Sequence, residues 1–228
     1  MISRVIGLGL TVAMLAANAS AATQPPAETP DGLQLVPDTA FGLVYAEPGI
    51  DLTGYTELGL VPCQVSFKKN WMKDQNRNAL DLSSRVTQRD IEKIKTKLAA
   101  ECDKQFRNSL TAPPPYTLVE SFTKGEAVLI VRPSIVNLDI TAPDLKSAGR
   151  ERTYTTGGAG EMTIVLELLD GTTGDVLVRG YDREGGRDTS PMQWSNSVTN
   201  RAEAERILKL WSERLRKGLD EAIKQHSG

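Results

Sequence analysis

Along residues 161–168 apolar and polar side chains alternate: Met162, Ile164, Leu166 and Leu168 share one parity, Glu161, Thr163 and Glu167 the other. A period of two is that of a half-buried strand, so one face here is core. The run ends in Asp170-Gly171-Thr172-Thr173-Gly174-Asp175, where glycines accept positive φ and aspartates bond nearby amides, and the β-rich stretch 176–181 follows. The reading is an antiparallel hairpin. The Asp170–Asp175 loop has oxygens for a divalent cation, but two carboxylates are fewer than a calcium site musters, and a plain turn is the simpler reading.

Elsewhere the period changes. Ile91, Ile94, Leu98, Cys102, Phe106 and Leu110 recur at spacings of three and four, behind the capping pair Thr87 and Asp90 and ahead of Pro113-Pro114-Pro115. That predicts a helix with one buried stripe. A second helix is predicted over residues 200–224, where Ala204, Leu208, Trp211, Leu215, Leu219 and Ala222 line one face. Further strands are predicted over 55–67, with a bulge or edge at Pro62, over 116–122 and over 127–140. Residues 31–50, punctuated by Pro37, Gly42, Pro48 and Gly49, read as irregular chain packed on the domain, and 144–156 as a surface connection or weak strand end. The order β–α–β–β–β–β–α gives the expected class as α+β: a two-layer sandwich of a mainly antiparallel sheet of about five strands with two helices on one face.

Residues 1–21 have the form of a secretory signal peptide: Arg4, an apolar run from Val5 to Ala17, then small residues, with cleavage expected after Ala21 and Ala22 as runner-up. Residues 22–30, rich in proline, read as a disordered leader, and 31–228 as one α+β domain. No later stretch is apolar enough for a transmembrane helix. Export to an oxidising periplasm changes the reading of the two cysteines, and Cys63 and Cys102 are expected to pair; the competing reading, a free reactive thiol, needs a cationic setting and a base that are not evident. A net charge of -2 offers no overall attraction for nucleic acid.

Candidate chemistry is sparse. The single histidine, His226, stands near the end of the chain, so no histidine-based triad or zinc site is available, and no metal or other cofactor is expected. The glycine-rich stretch 155–160 precedes a strand rather than a helix, unlike a phosphate cradle. Asp182, Glu184 and Asp188 could serve a carboxylate-dependent hydrolase, yet they sit among Arg179, Arg183 and Arg187, where solvated ion pairing is the plainer account. Residues 66–77 hold the one aromatic-plus-basic cluster, with Lys68, Lys69, Trp71, Lys73 and Arg77 against Asp74. It reads either as a contact loop for an anionic partner, carried by Lys68, Lys69, Trp71 and Lys73, or as a solvated loop whose Trp71 folds back onto the domain.

The 55–67 strand, the amphipathic helix, the strand containing Val131-Arg132, the hairpin ELLDGTTGDVLVRGYDR and the tryptophan-bearing closing helix resemble the bacterial envelope proteins grouped as domain of unknown function 3313. The resemblance covers residues 31–224 and implies an exported protein with no assigned activity. Many members carry a lipidated cysteine at the mature N-terminus; Ala21 and Ala22 stand there in this chain, which implies no lipid anchor. The expectation is a periplasmic, non-enzymatic binding or accessory module of the envelope, with an envelope protein or polymer as partner; the alternative is the hydrolase.

Overall fold

The computed structural model describes residues 25–77, 85–123, 125–140, 153–155, 160–185, 193–195 and 197–225. In chain order the elements are β1 (Gln34–Val36), β2 (Leu43–Ala46), β3 (Glu57–Leu60), β4 (Gln64–Phe67), α1 (Trp71–Asn76), α2 (Gln88–Thr111), β5 (Thr117–Val119), β6 (Val128–Ile140), β7 (Thr153–Thr155), β8 (Gly160–Asp170), β9 (Val176–Gly185), β10 (Gln193–Ser195) and α3 (Ser197–Gln225). The expected signal peptide, the 156–159 glycines, Arg187, Asp188 and His226 lie outside the described residues.

The class is α+β, with a mixed sheet ordered β1-β2-β9-β8-β6-β3-β5 and β4 added beside β6. Its centre is the predicted hairpin, Leu166 facing Gly180 and Leu168 facing Val178, with β6 antiparallel to β8 on the other side. The sheet is larger than the five strands expected, and less antiparallel, for two reasons. Residues 31–50 yield β1 and β2, too short between their prolines and glycines to show alternation. The predicted strand 55–67 divides at Pro62, which has no amide to donate, into β3 and β4, each parallel to a different stretch of β6. Parallel pairing needs a crossover, and α2 supplies it between β4 and β5. β7 and β10 form a separate antiparallel pair that the polar sequence around them concealed.

The buried parity of β8 (Met162, Ile164, Leu166, Leu168) joins Leu129, Val131 and Ile135 of β6, Leu98, Cys102, Phe106 and Leu110 of α2, and Leu208, Trp211, Leu215 and Leu219 of α3 in one hydrophobic cluster. Near the end of β6 the ladder to β8 shifts between Val136 and Asp139, where Asn137 takes φ 53°. The extra residue returns Leu138 to the buried side. Opposite the shift, Gly160 has φ 122°, and a side chain there would collide with the Asp139 carbonyl. The predicted disulfide is present: Cys63, between β3 and β4, is bonded to Cys102 on the buried stripe of α2, with Cα atoms 6.2 Å apart.

From Pro25 onward the expected disordered leader is instead fastened to the sheet. Leu35 N–H donates to the Ala27 carbonyl at 2.9 Å and the Tyr45 hydroxyl to the Pro26 carbonyl at 3.1 Å. The segment covers the outer side of β1, whose amides and carbonyls would otherwise be an open edge. Asp31 then reaches Arg179 of β9 at 2.8 Å, Arg179 meets Glu167 of β8 at 2.8 Å, and Glu167 meets Arg132 of β6 at 2.7 Å. These four side chains tie three strands and the N-terminal segment together on the sheet face away from the hydrophobic cluster. No helix among the described residues is long and apolar enough to cross a membrane.

Candidate functional site

The aromatic-plus-basic cluster lies where β4 ends. Lys68 N–H donates to the Leu138 carbonyl at 3.0 Å, and Asn70, at φ 65°, turns the chain into α1. The turn drives Trp71 inward. Its indole is 3% exposed, stacks on Phe67 with ring centroids 4.3 Å apart, donates from Nε1 to the Ile140 carbonyl at 3.3 Å, and packs with Val86 and Ile91. Asn76 completes the join by exchanging two hydrogen bonds with the Val86 backbone, at 2.9 and 2.7 Å. Of the four residues expected to form a contact loop, Trp71 is thus an internal rivet rather than a surface group, as the fold-back reading had it. Lys68, Lys69 and Lys73 are exposed. Lys68 pairs with Asp139 at 2.8 Å, and that hydrogen bond raises its ammonium above the ordinary lysine value.

The rivet also joins α1 to the entry of α2, to which Val86 and Ile91 belong, and that entry carries a second group of cations. There Thr87 and Asp90 form the predicted capping box, the side chain of each accepting from the other's amide. Ahead of the cap stands Arg85; within the helix Arg89, Lys93 and Lys97 recur every four residues, all exposed, on the side opposite Ile91, Leu98 and Cys102. Among the described residues none of Lys69, Lys73, Arg85, Arg89 or Lys93 forms a salt bridge. Residues 68–97 carry nine Lys or Arg against four Asp or Glu, within a chain of net charge -2. The period-four stripe was readable in the sequence, but its adjacency to α1 depends on a tertiary contact.

The far end of the sheet has the opposite sign. Exposed Glu47, Glu126 and Asp175, with half-buried Asp170, surround the β8–β9 turn. Asp170 accepts from the Thr172 and Thr173 amides at 2.6 and 3.3 Å, the plain-turn arrangement. Its carboxylate also meets the Tyr55 hydroxyl; burial first, and then this hydrogen bond, push the Tyr55 phenol up to about 12.

The carboxylates considered for hydrolysis are held by α3. Asp182 accepts from Trp211 Nε1 at 3.1 Å and from Arg214, and the same Arg214 Nη1 lies 3.2 Å from Glu184. Their neighbours Arg179 and Arg183 pair with Glu167 and Glu161 instead, because alternation turns odd and even positions of β9 to opposite faces. With one guanidinium engaging both acids, the pair acts as a clasp between β9 and α3. The expected solvated pairing with the neighbouring arginines is replaced by a pair with Arg214 of α3, in which the Asp182 side chain is only 10% exposed.

The family model described as "Protein of unknown function (DUF3313)" matches residues 31–215. The chain belongs to that family. No curated protein matches it. Among solved structures, a PelC dodecamer from Paraburkholderia phytofirmans is 14% identical, with 76% of this chain and 96% of that chain covered and a TM-score of 0.38. A putative neuraminyllactose-binding hemagglutinin homolog from Helicobacter pylori is 8% identical, with 77% and 91% covered and a TM-score of 0.37. Likenesses this loose carry nothing about what this DUF3313 member does.

Proposed function

We propose that this protein is an exported, non-enzymatic binding or accessory module of the cell envelope, released to the periplasm by cleavage after Ala21, whose contact surface is centred on Lys68, Lys69 and Lys73. The observation that carries this reading is the buried Trp71, which anchors a short helix so firmly that its neighbouring lysines are presented on a fixed base. Membership of DUF3313 is consistent with it. A two-layer arrangement with α2 and α3 over one sheet face is part of the reading, supported by the cluster the two helices share with β6 and β8. Residues 31–228 then form one domain.

The test replaces Lys68, Lys69 and Lys73 by serine and leaves Trp71 in place. Retention on envelope fractions should fall while thermal stability stays near wild type, since exposed charges contribute within about 0.5 kcal/mol. Unchanged retention overturns the contact surface.

A further inference from the structure

We propose that the basic end docks this protein on an anionic phospholipid surface. The proposal rests on the reading of residues 68–73 as a contact loop and names its partner. Three observations favour lipid. The first is the sign of the charge at this end of the molecule: the packing of Trp71 with Val86 and Ile91 joins α1, with Lys69 and Lys73, to the entry of α2, where Arg85 and Arg89 stand, with Lys93 one turn on. None of the five is in a salt bridge among the described residues, although the Asp90 carboxylate is near enough to Lys93 and Arg89 for their charges to help lower it. Clustered cations of this kind are attracted by an anionic leaflet and act together when they face it.

The second is Met72. It is one of two large hydrophobic side chains exposed among the described residues, at 38%, and it lies in α1 directly between Trp71 and Lys73. With Trp71 pointing inward, the helical rotation of about 100° per residue turns Met72 and Lys73 outward. An apolar, flexible side chain next to a lysine suits the boundary between headgroups and acyl chains. The third concerns sugars, which are commonly bound against aromatic faces. Here Trp71 is buried and stacked on Phe67, so α1 offers a glycan no ring. The acidic turn at the far end of the sheet would point away from the membrane in this pose, so like-charge repulsion orients the molecule the same way.

The experiment is sedimentation of the purified protein with vesicles of phosphatidylglycerol mixed with phosphatidylcholine, against phosphatidylcholine alone. Binding is expected to the anionic vesicles only and to weaken as salt rises. Each charge removed should lower partitioning about fivefold, so the triple variant Lys69→Ser, Lys73→Ser, Arg89→Ser loses about a hundredfold. The charge-keeping triple Lys69→Arg, Lys73→Arg, Arg89→Lys stays within about twofold, since each replacement keeps a cation. Met72→Ser should weaken binding severalfold and leave its salt dependence intact. Melting temperatures of all variants, expected to match wild type, tie any loss to the surface. Equal binding to neutral vesicles, or an unaffected serine triple, overturns the proposal. So does binding to an anionic polysaccharide with none to vesicles, which would make the partner a polymer. Envelope retention that depends on the lysines without any vesicle binding sinks this proposal and leaves the contact surface standing.

Discussion

Trp71 and Met72 are adjacent in the chain and serve opposite purposes. The indole is fixed by Phe67, Val86, Ile91 and the Ile140 carbonyl, whereas the thioether is exposed. Trp71→Ala should therefore cost about 3–5 kcal/mol in urea denaturation, as large aromatic truncations in cores do. Met72→Ser should leave the denaturation midpoint unchanged. A Trp71→Ala protein as stable as wild type would mean that the ring is not the anchor described. The sequence could place both residues in a basic cluster but not assign their directions. A helix of six residues is too short for a 3.6-residue period to show a face. The partners that decide the matter come from β4, β6 and α2. The same is true of Asp182, where nearby arginines in the sequence suggested an ion pair but alternation along β9 sends them to the other face and leaves the carboxylate to Arg214.

Among the elements, length decided what could be read. The hairpin of β8 and β9, the long strand β6 and the helices α2 and α3 show enough periods to be recognised. β1, β2 and β5, of three or four residues, do not. The disulfide was legible because the expected signal peptide, the predicted strand 55–67 and the predicted helical stripe pointed the same way. It spans 39 residues, so its reduction should remove about 4 kcal/mol by loop entropy, read as a lower urea midpoint in dithiothreitol. An unchanged midpoint would show that the reduced chain is already held by its core. The N-terminal segment makes a pH-dependent prediction. The hydrogen bond from Arg179, helped by Thr29, lowers the Asp31 carboxyl from 3.8 to about 2. A lowered carboxyl contributes stability that is present above its unfolded value and lost as pH falls through the folded one. Hydrogen exchange at the Leu33 and Leu35 amides should therefore accelerate, beyond its intrinsic rate, as pH drops from 4 toward 2. In Asp31→Asn it should be fast already at neutral pH. Identical exchange in the two proteins would show that the strap is held without this carboxylate.

At the scale of the whole molecule, the α+β class was legible in the order of periods, while the number and direction of strands were not. Parallel pairing of β3, β4 and β5 is invisible locally, since it depends on α2 carrying the chain back across the sheet. Charge behaved likewise. A net charge of -2 predicts indifference to anions, and that average conceals the cations of residues 68–77 and 85–97 at one end and the acidic turn at the other. A column of either sign meets such a molecule end-on. At low salt and neutral pH the protein should adhere to cation exchangers despite a pI near 5.6, and to anion exchangers as well, so that its isoelectric point alone gives a poor guide to its chromatography.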